Sequence, residues 1–298
     1  MSQALLRSLR RMRSAAILLL LVGLSGGCQR RPEVPPIVDQ PGGPALEGKV
    51  VWRDLITTDV AKASAFYTQL FGWQITPSAD APDKFALIRH EGRPIGSIVS
   101  GDELEGTELA ARWISSISVP NAQGAIDAAV AGGAKAHITL LDLPRRGKTA
   151  VLIDPQGAGF AVLVSSAGDP PDIGPVTNSW LWTELWARDA EKAADFYVGS
   201  FRYDHEKVAM PGFDAMYHIL KSSGKERLGI VQSPVASVTP AWLPYIKVQD
   251  AVKMTDRARE LGGKVYMAPN PKIRSNSVAI LADPTGGFFA VQEWPIKE

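Results

Sequence analysis

Residues Trp52 to Trp73 read W-R-D-L-I-T-T-D-V-A-K-A-S-A-F-Y-T-Q-L-F-G-W, and the stretch returns at Trp182 to Tyr203 as W-T-E-L-W-A-R-D-A-E-K-A-A-D-F-Y-V-G-S-F-R-Y. Aligned without gaps, Trp52/Trp182, Leu55/Leu185, Asp59/Asp189, Lys62/Lys192, Ala63/Ala193, Phe66/Phe196, Tyr67/Tyr197 and Phe71/Phe201 coincide. Self-similarity of this kind marks a tandem duplication. Inside the stretch, Trp52 to Thr57 has strand-forming residues, with Trp52, Asp54 and Ile56 on one face and Arg53, Leu55 and Thr57 on the other. Asp59 is suited to cap a helix. Ala63, Phe66, Tyr67, Leu70 and Phe71 then recur at helical spacing and form one apolar stripe. Gly72 supplies a stop. The Phe-Tyr pair reads as core packing of that helix on a sheet.

Outward from this stretch the pattern repeats. Phe85 to Arg89 and Ile95 to Val99 read as strands around a turn at Gly92. Trp113 to Val119 begins a second unit, with Asn121 capping a helix that stops at Gly132-Gly133. Strands follow at His137 to Leu141, Thr149 to Ile153 and Phe160 to Val164. Between the last two lies Asp154-Pro155-Gln156-Gly157, with type I turn residues at the preferred positions. The second copy repeats this order, with Asp189 and Asp250 as helix caps and Asp283-Pro284-Thr285-Gly286 as the turn. The expected class is α+β, with four βαβββ modules in two domains at 49–166 and 179–298. Residues 167–178, rich in Pro and Gly, read as the linker.

A strand, an Asp-capped helix carrying F-Y and F-G-W, and a later D-P-x-G before an aromatic strand together resemble the vicinal oxygen chelate superfamily. That group holds glyoxalase I, bleomycin- and fosfomycin-resistance proteins and extradiol dioxygenases. The chain is most similar to its tandem-domain, glyoxalase-like members. The resemblance implies a cleft in each pair of modules, where relatives hold a divalent metal through His, Gln or Glu side chains. Aligned through the helix caps and D-P-x-G turns, those positions fall on Trp52, near Ser97, near Ser115 and on Ala161 in the first copy. In the second they fall on Trp182, near Ile230, near Pro244 and on Ala290. None is a His, Gln or Glu, and a divalent site needs three or four such donors. No metal and no cofactor is therefore expected. His90, His137, His205 and His218 read as surface or strand-edge residues.

What the expected cleft retains is aromatic and carboxylate. Asp54 and Glu184 are candidate general bases or ligand-orienting groups, or acceptors of structural hydrogen bonds. Trp52, Trp113, Ser115, Trp182, Trp186, Trp242 and Tyr245 are candidate ligand contacts in an apolar cleft, with core packing the default for the tryptophans. The basic loop Pro144-Arg145-Arg146-Gly147-Lys148, with its counterpart at Lys272 and Arg274, reads by default as a solvated loop, with steering of an anionic ligand or contact with lipid headgroups as the alternatives. A small, partly apolar molecule is the expected ligand. An enzyme of glyoxalase, lyase or hydroxylase type and a structural module of the cell envelope are the competing readings.

The N-terminus reads as an address. Arg7, Arg10, Arg11 and Arg13 precede an apolar run, Ala15 to Leu24, about half of the ~20 residues that span a bilayer. It ends in Leu24-Ser25-Gly26-Gly27-Cys28, which resembles the lipobox of bacterial lipoproteins, where the cysteine is lipidated. Cys28 is the chain's one cysteine, so no intrachain disulfide forms. Residues 1–28 are thus expected to be a lipoprotein signal, and the Pro/Gly-rich 29–48 a tether. The expected location is the bacterial envelope, at the outer membrane facing the periplasm in a Gram-negative cell. The formal net charge of +1 gives no field to attract nucleic acid. Two domains in one chain supply the pairing that single-domain relatives reach by dimerising, so a monomer is expected.

Overall fold

The computed structural model describes residues 34–101, 111–210, 215–233 and 239–296. The expected signal and lipidation site, residues 1–28, lie outside them. The chain forms two mixed sheets of eight strands, each carrying two helices. The first domain runs β1 (Val50–Thr57), α1 (Val60–Phe71), β2 (Gln74–Pro77), β3 (Phe85–His90) and β4 (Arg93–Ser100). It continues with β5 (Arg112–Ser118), α2 (Ala122–Ala131), β6 (Lys135–Leu143), β7 (Gly147–Ile153) and β8 (Gly159–Ser165). The second repeats this as β9 (Trp180–Ala187), α3 (Ala190–Phe201), β10 (Asp204–Ala209), β11 (Met216–Ser222) and β12 (Lys225–Gln232). It closes with β13 (Ala241–Val248), α4 (Ala251–Glu260), β14 (Lys264–Met267), β15 (Val278–Ala282) and β16 (Phe288–Glu293).

Each helix begins at the expected cap. Asp59, Asn121, Asp189 and Asp250 each accept a hydrogen bond from the backbone N–H three residues on, at 2.8, 3.1, 3.1 and 2.9 Å. Such a cap satisfies one of the donors a helix start leaves open. The sheet order is β2-β3-β4-β1-β5-β8-β7-β6, and the second sheet has the same order with its own strands. In each, the two modules meet where the first strand of one runs antiparallel to the first strand of the other, β1 against β5 and β9 against β13.

Alternation along the strands sends Leu55, Trp113 and Ile98 to the helical side, and Asp54, Ile56 and Ser116 to the other. The helical sides of the two sheets face each other. One core joins α1 and its strands to Ile246, Ala258, Leu281 and Phe289 of the second domain. The other joins α3 to Ile117, Leu152, Phe160 and Val162 of the first. Tyr67 on α1 donates to Asp283 at 2.9 Å, and Tyr197 on α3 donates to Asp154 at 3.1 Å. Both acceptors are the aspartates of the D-P-x-G turns, each of which also receives backbone N–H groups of its own turn. The turn motif therefore shapes a corner and also fastens it to the opposite domain. Burial pushes both tyrosine hydroxyls well above their ordinary range, so they remain donors.

The described part of the Pro/Gly-rich stretch expected to be a tether is packed. Ile37 is 1% exposed and sits with Val51, Trp52 and Leu163. Asp39 makes a two-pronged ion pair with Arg89. The Leu46 N–H donates to Asp169 at 2.6 Å. Val34 to Gly48 is thus a strap across the first domain. The expectation that the histidines are surface or strand-edge residues fails at His218, which is 3% exposed and stacked on His205. Strand β11 points it beneath the exposed Glu191 and Lys207.

Candidate functional site

The face of the first sheet turned away from the helices encloses a cavity of about 110 Å³. Its wall is mostly aliphatic, with Ile56, Val99, Ile114, Leu141 and Val151 among the lining residues and Phe85 the aromatic one. Val34 of the strap closes one side. The charged side chains on the wall are Asp54, Lys84 and Arg146. Asp54 Oδ1 accepts from Trp52 Nε1 at 2.9 Å and from the Ser97 hydroxyl, its neighbour across β1 and β4. Among the described residues no hydrogen bond reaches its Oδ2. Arg146 is 5% exposed. Its Nε donates to the Pro35 carbonyl at 2.7 Å and its guanidinium lies 4.2 Å from the centre of the Trp52 ring. Among the described residues its buried Nη2 has no partner. Burial pushes its pKa down to about 10, with the nearby Asp54 carboxylate working against that shift.

The second domain fills the same place. Glu184, in the position of Asp54, is 2% exposed. Its Oε1 accepts from Trp186 Nε1 at 2.9 Å and Tyr245 Oη at 2.6 Å. Its Oε2 accepts from Tyr217 Oη at 2.7 Å and Arg274 Nη2 at 3.3 Å. Arg274 also donates to Gln292 at 2.7 Å. Tyr217 in turn accepts from Trp182 Nε1 at 2.7 Å. Both Tyr217 and Tyr245 are held well above the ordinary phenol range, by burial first and by the Glu184 carboxylate second. A buried carboxylate is tolerated only when partnered in this way.

The strand registers match the two faces residue by residue. Asp54 pairs with Ser97 and Ile114, and Glu184 with Gly229 and Leu243. Ser116 stands between Trp52 and Ala161, and Tyr245 between Trp182 and Ala290. Phe85 lies opposite Val99, and Tyr217 opposite Val231. Ile56 and Trp186 each lie two residues beyond their carboxylate. The first domain thus has Ile56, Ser97, Ser116 and Phe85 where the second has Trp186, Gly229, Tyr245 and Tyr217. Gly229 is required there: a Cβ on it would stand 2.0 Å from the Tyr217 hydroxyl.

Of the residues singled out from the sequence, the structure groups Trp52 with Asp54, and Trp182, Trp186 and Tyr245 with Glu184. It separates others from the cleft. Trp113 and Trp242 face the helices, where their indole N–H groups donate to Tyr67 at 3.1 Å and Tyr197 at 2.9 Å. Ser115 pairs with Arg53 on that same buried side, and Ser116 takes the cavity-facing place. For the same reason Tyr245 and Gly229, not Pro244 and Ile230, face Glu184. Ser115 lies two residues from Trp113 on the same side of β5, and one residue reverses a strand's face. Trp52 itself lies beneath Arg146 and the strap, so the expected aromatic cleft is an aliphatic one. Arg146 entered the sequence reading only as part of a basic loop whose default was solvation. Its signal was its counterpart Arg274 in the matching loop of the other copy.

The chain belongs to the glyoxalase-like family of the vicinal oxygen chelate superfamily. The family model described as a glyoxalase-like domain matches residues 50–163. Among named relatives, the anthracycline biosynthesis protein DnrV of Streptomyces peucetius is 30% identical over 273 residues, covering 85% of this chain and 94% of that protein. A Mycobacterium tuberculosis protein with the provisional name glyoxylase CFP32 is 26% identical over 247 residues, covering 82% and 94%. The fold is that of a Mn(II)-bound glyoxalase from Novosphingobium aromaticivorans, with a TM-score of 0.59 at 14% identity over 85% of this chain and 84% of that one. It is also that of BphC, a halotolerant catechol dioxygenase, with a TM-score of 0.55 at 16% identity, covering 84% and 87%.

The family implies a divalent metal. The side chains on the faces where relatives would hold it are Trp52, Ser97, Ser116 and Ala161 in one domain, and Trp182, Gly229, Tyr245 and Ala290 in the other. Among the described residues no three His, Cys, Asp or Glu side chains converge. These residues do not fit a divalent cation, whose ligands are carboxylates, imidazoles or thiolates at ~2.0–2.6 Å.

Proposed function

We propose that this chain binds a small, largely apolar molecule in the cavity of the first domain, without a divalent metal, and that the second domain serves as its permanent structural partner. The observation that carries this reading is the contrast between the faces. In the first domain Arg146 stands on the wall of a cavity, and its buried Nη2 has no partner among the described residues. In the second, Glu184 and Arg274 satisfy each other among packed aromatics. The functional relatives bear names of small-molecule chemistry, glyoxylase and anthracycline biosynthesis, which agrees in kind with a pocket of this sort.

The test is a paired filling of the cavity. Ile56→Trp with Ser116→Tyr copies the second domain's solution into the first. Thermal-shift screening of single-ring compounds should give hits on the natural chain that vanish in this variant. Zinc, nickel, manganese and iron should leave the melting temperature unmoved. A metal that binds one-to-one and stabilises the natural chain would refute the metal-free part of the reading.

A second reading is favoured by the free Oδ2 of Asp54. As a general base this carboxylate would take a proton from carbon beside a carbonyl group, while the electron pair moves to the carbonyl oxygen and Arg146 hydrogen-bonds the oxyanion. Deuterium uptake from heavy water into mandelate, lost in Asp54→Asn, would support it. Glu184 takes no part in this reading, since both of its oxygens are occupied.

The location proposed with this function is the bacterial envelope, with lipid on Cys28 and the folded chain a monomer. Cys28→Ser should move the protein from the membrane to the soluble fraction. Retention of the variant on membranes would contradict the anchor.

A further inference from the structure

We propose that the cavity of the first domain takes a small apolar acid of about one ring, its carboxylate held by Arg146; this rests on reading the cavity as the ligand site. Arg146 is fixed on two sides, by the Pro35 carbonyl at Nε and by the Trp52 ring below. Its Nη2 is left unsatisfied at 5% exposure. A buried donor without an acceptor costs about 1–3 kcal/mol, and more when charged. A guanidinium does not relieve this by losing its proton at neutral pH, and its planar fork matches a carboxylate.

The second domain shows what satisfies an arginine in this place. There Arg274 meets the Glu184 carboxylate, an acceptor built into the protein. In the first domain the strand carboxylate is one methylene shorter, and its bonded oxygen is turned to Trp52 and Ser97. Among the described residues no acceptor takes that place, and a ligand carboxylate would supply it. Ile56, Val99, Ile114 and Leu141 offer the remainder of the molecule no polar partner. An apolar cavity of about 150 Å³ holds benzene, so the present 110 Å³ limits the apolar part to one ring at most and excludes a fused system.

The full chain titrated calorimetrically with benzoate, benzyl alcohol and benzylamine tests this. Benzoate should bind at least about tenfold more tightly than either neutral or cationic analogue. Arg146→Met keeps the apolar stem and removes the fork, and should abolish the preference; Asp54→Asn should strengthen benzoate binding by about two- to fivefold through lost repulsion. The comparison of the three compounds on the natural chain needs no variant, so it stands even if Arg146→Met folds poorly. If benzyl alcohol binds as tightly as benzoate, or Arg146→Met retains benzoate within about twofold, the acid assignment falls and the cavity reading stands. If none of the three binds, both fall.

Discussion

In the first domain the strand carboxylate, Asp54, leans on Trp52 and Ser97 and borders a cavity. In the second, Glu184 is closed in by Trp186, Tyr217, Tyr245 and Arg274. Both domains have the same sheet order, the same carboxylate position and an arginine arriving from the same loop. The difference lies in four side chains. Where the second domain has Trp186 and Tyr245, the first has Ile56 and Ser116. Where the second has Gly229 to admit the Tyr217 ring, the first has Ser97 and a phenylalanine. In the second domain aromatic bulk closes the site and binds its carboxylate; in the first, small residues leave it open. A fold shared by both halves thus constrains function less than the filling of each concave face.

The largest effect should come from removing the charge that holds the closed face together. Glu184 uses both oxygens as acceptors, so Glu184→Gln turns an amide N–H₂ toward donors, of which Arg274 cannot reverse its role. Urea unfolding should show a loss of about 2–4 kcal/mol. Asp54 uses one oxygen, so the isosteric Asp54→Asn should cost less than about 1 kcal/mol. Equal losses at the two sites would break the comparison.

Next in size are the cross-domain ties, where the two halves should behave alike. Tyr67→Phe and Tyr197→Phe each leave a buried D-P-x-G aspartate with one partner fewer. Each should cost about 1–3 kcal/mol, and unfolding should remain one cooperative transition, because both cores are built from both domains. Two separate transitions would show that the domains are independent units.

A smaller effect is expected at Asp172, in the segment joining the domains. Burial raises its pKa, but hydrogen bonds from Arg227, Lys225 and Lys49 outweigh this and hold it well below the usual carboxylate range. A carboxyl group depressed in the folded state contributes stability that is present above its unfolded value of about 4 and lost as pH falls through the folded one. Asp172→Asn should therefore flatten the acid side of the stability curve and change little in its shape near neutrality. The smallest effect concerns Arg146. Its guanidinium keeps its proton until about pH 10, so benzoate binding should be flat from pH 6 to 9 and weaken above about 10.

Much of this was legible beforehand. The repeat at Trp52 and Trp182 fixed the duplication, and period-two alternation placed Asp54 and Glu184 on the face away from the helices. Trp113 and Trp242 match between copies for a structural reason, in line with their default reading as core: each donates to a tyrosine of the paired helix. Ser115 misled because it shares the side of Trp113, and cross-strand pairing puts Ser116 opposite Trp52. Arg146 looked solvated in a run of basic residues. Its burial depends on Trp52, distant in the chain, and on Gly147, which at φ 118° presses against β8 where a Cβ would stand 2.0 Å from the Val164 carbonyl. Prolines suggested a free tether, but Ile37 is the residue that anchors the strap.

The most direct test of the account is the number and place of benzoate sites. Calorimetry should give one site per chain, lost in Ile56→Trp/Ser116→Tyr and retained in Trp186→Ile/Tyr245→Ser. A full site surviving in the first variant, or lost only in the second, would show that the second domain carries the ligand and would overturn the assignment.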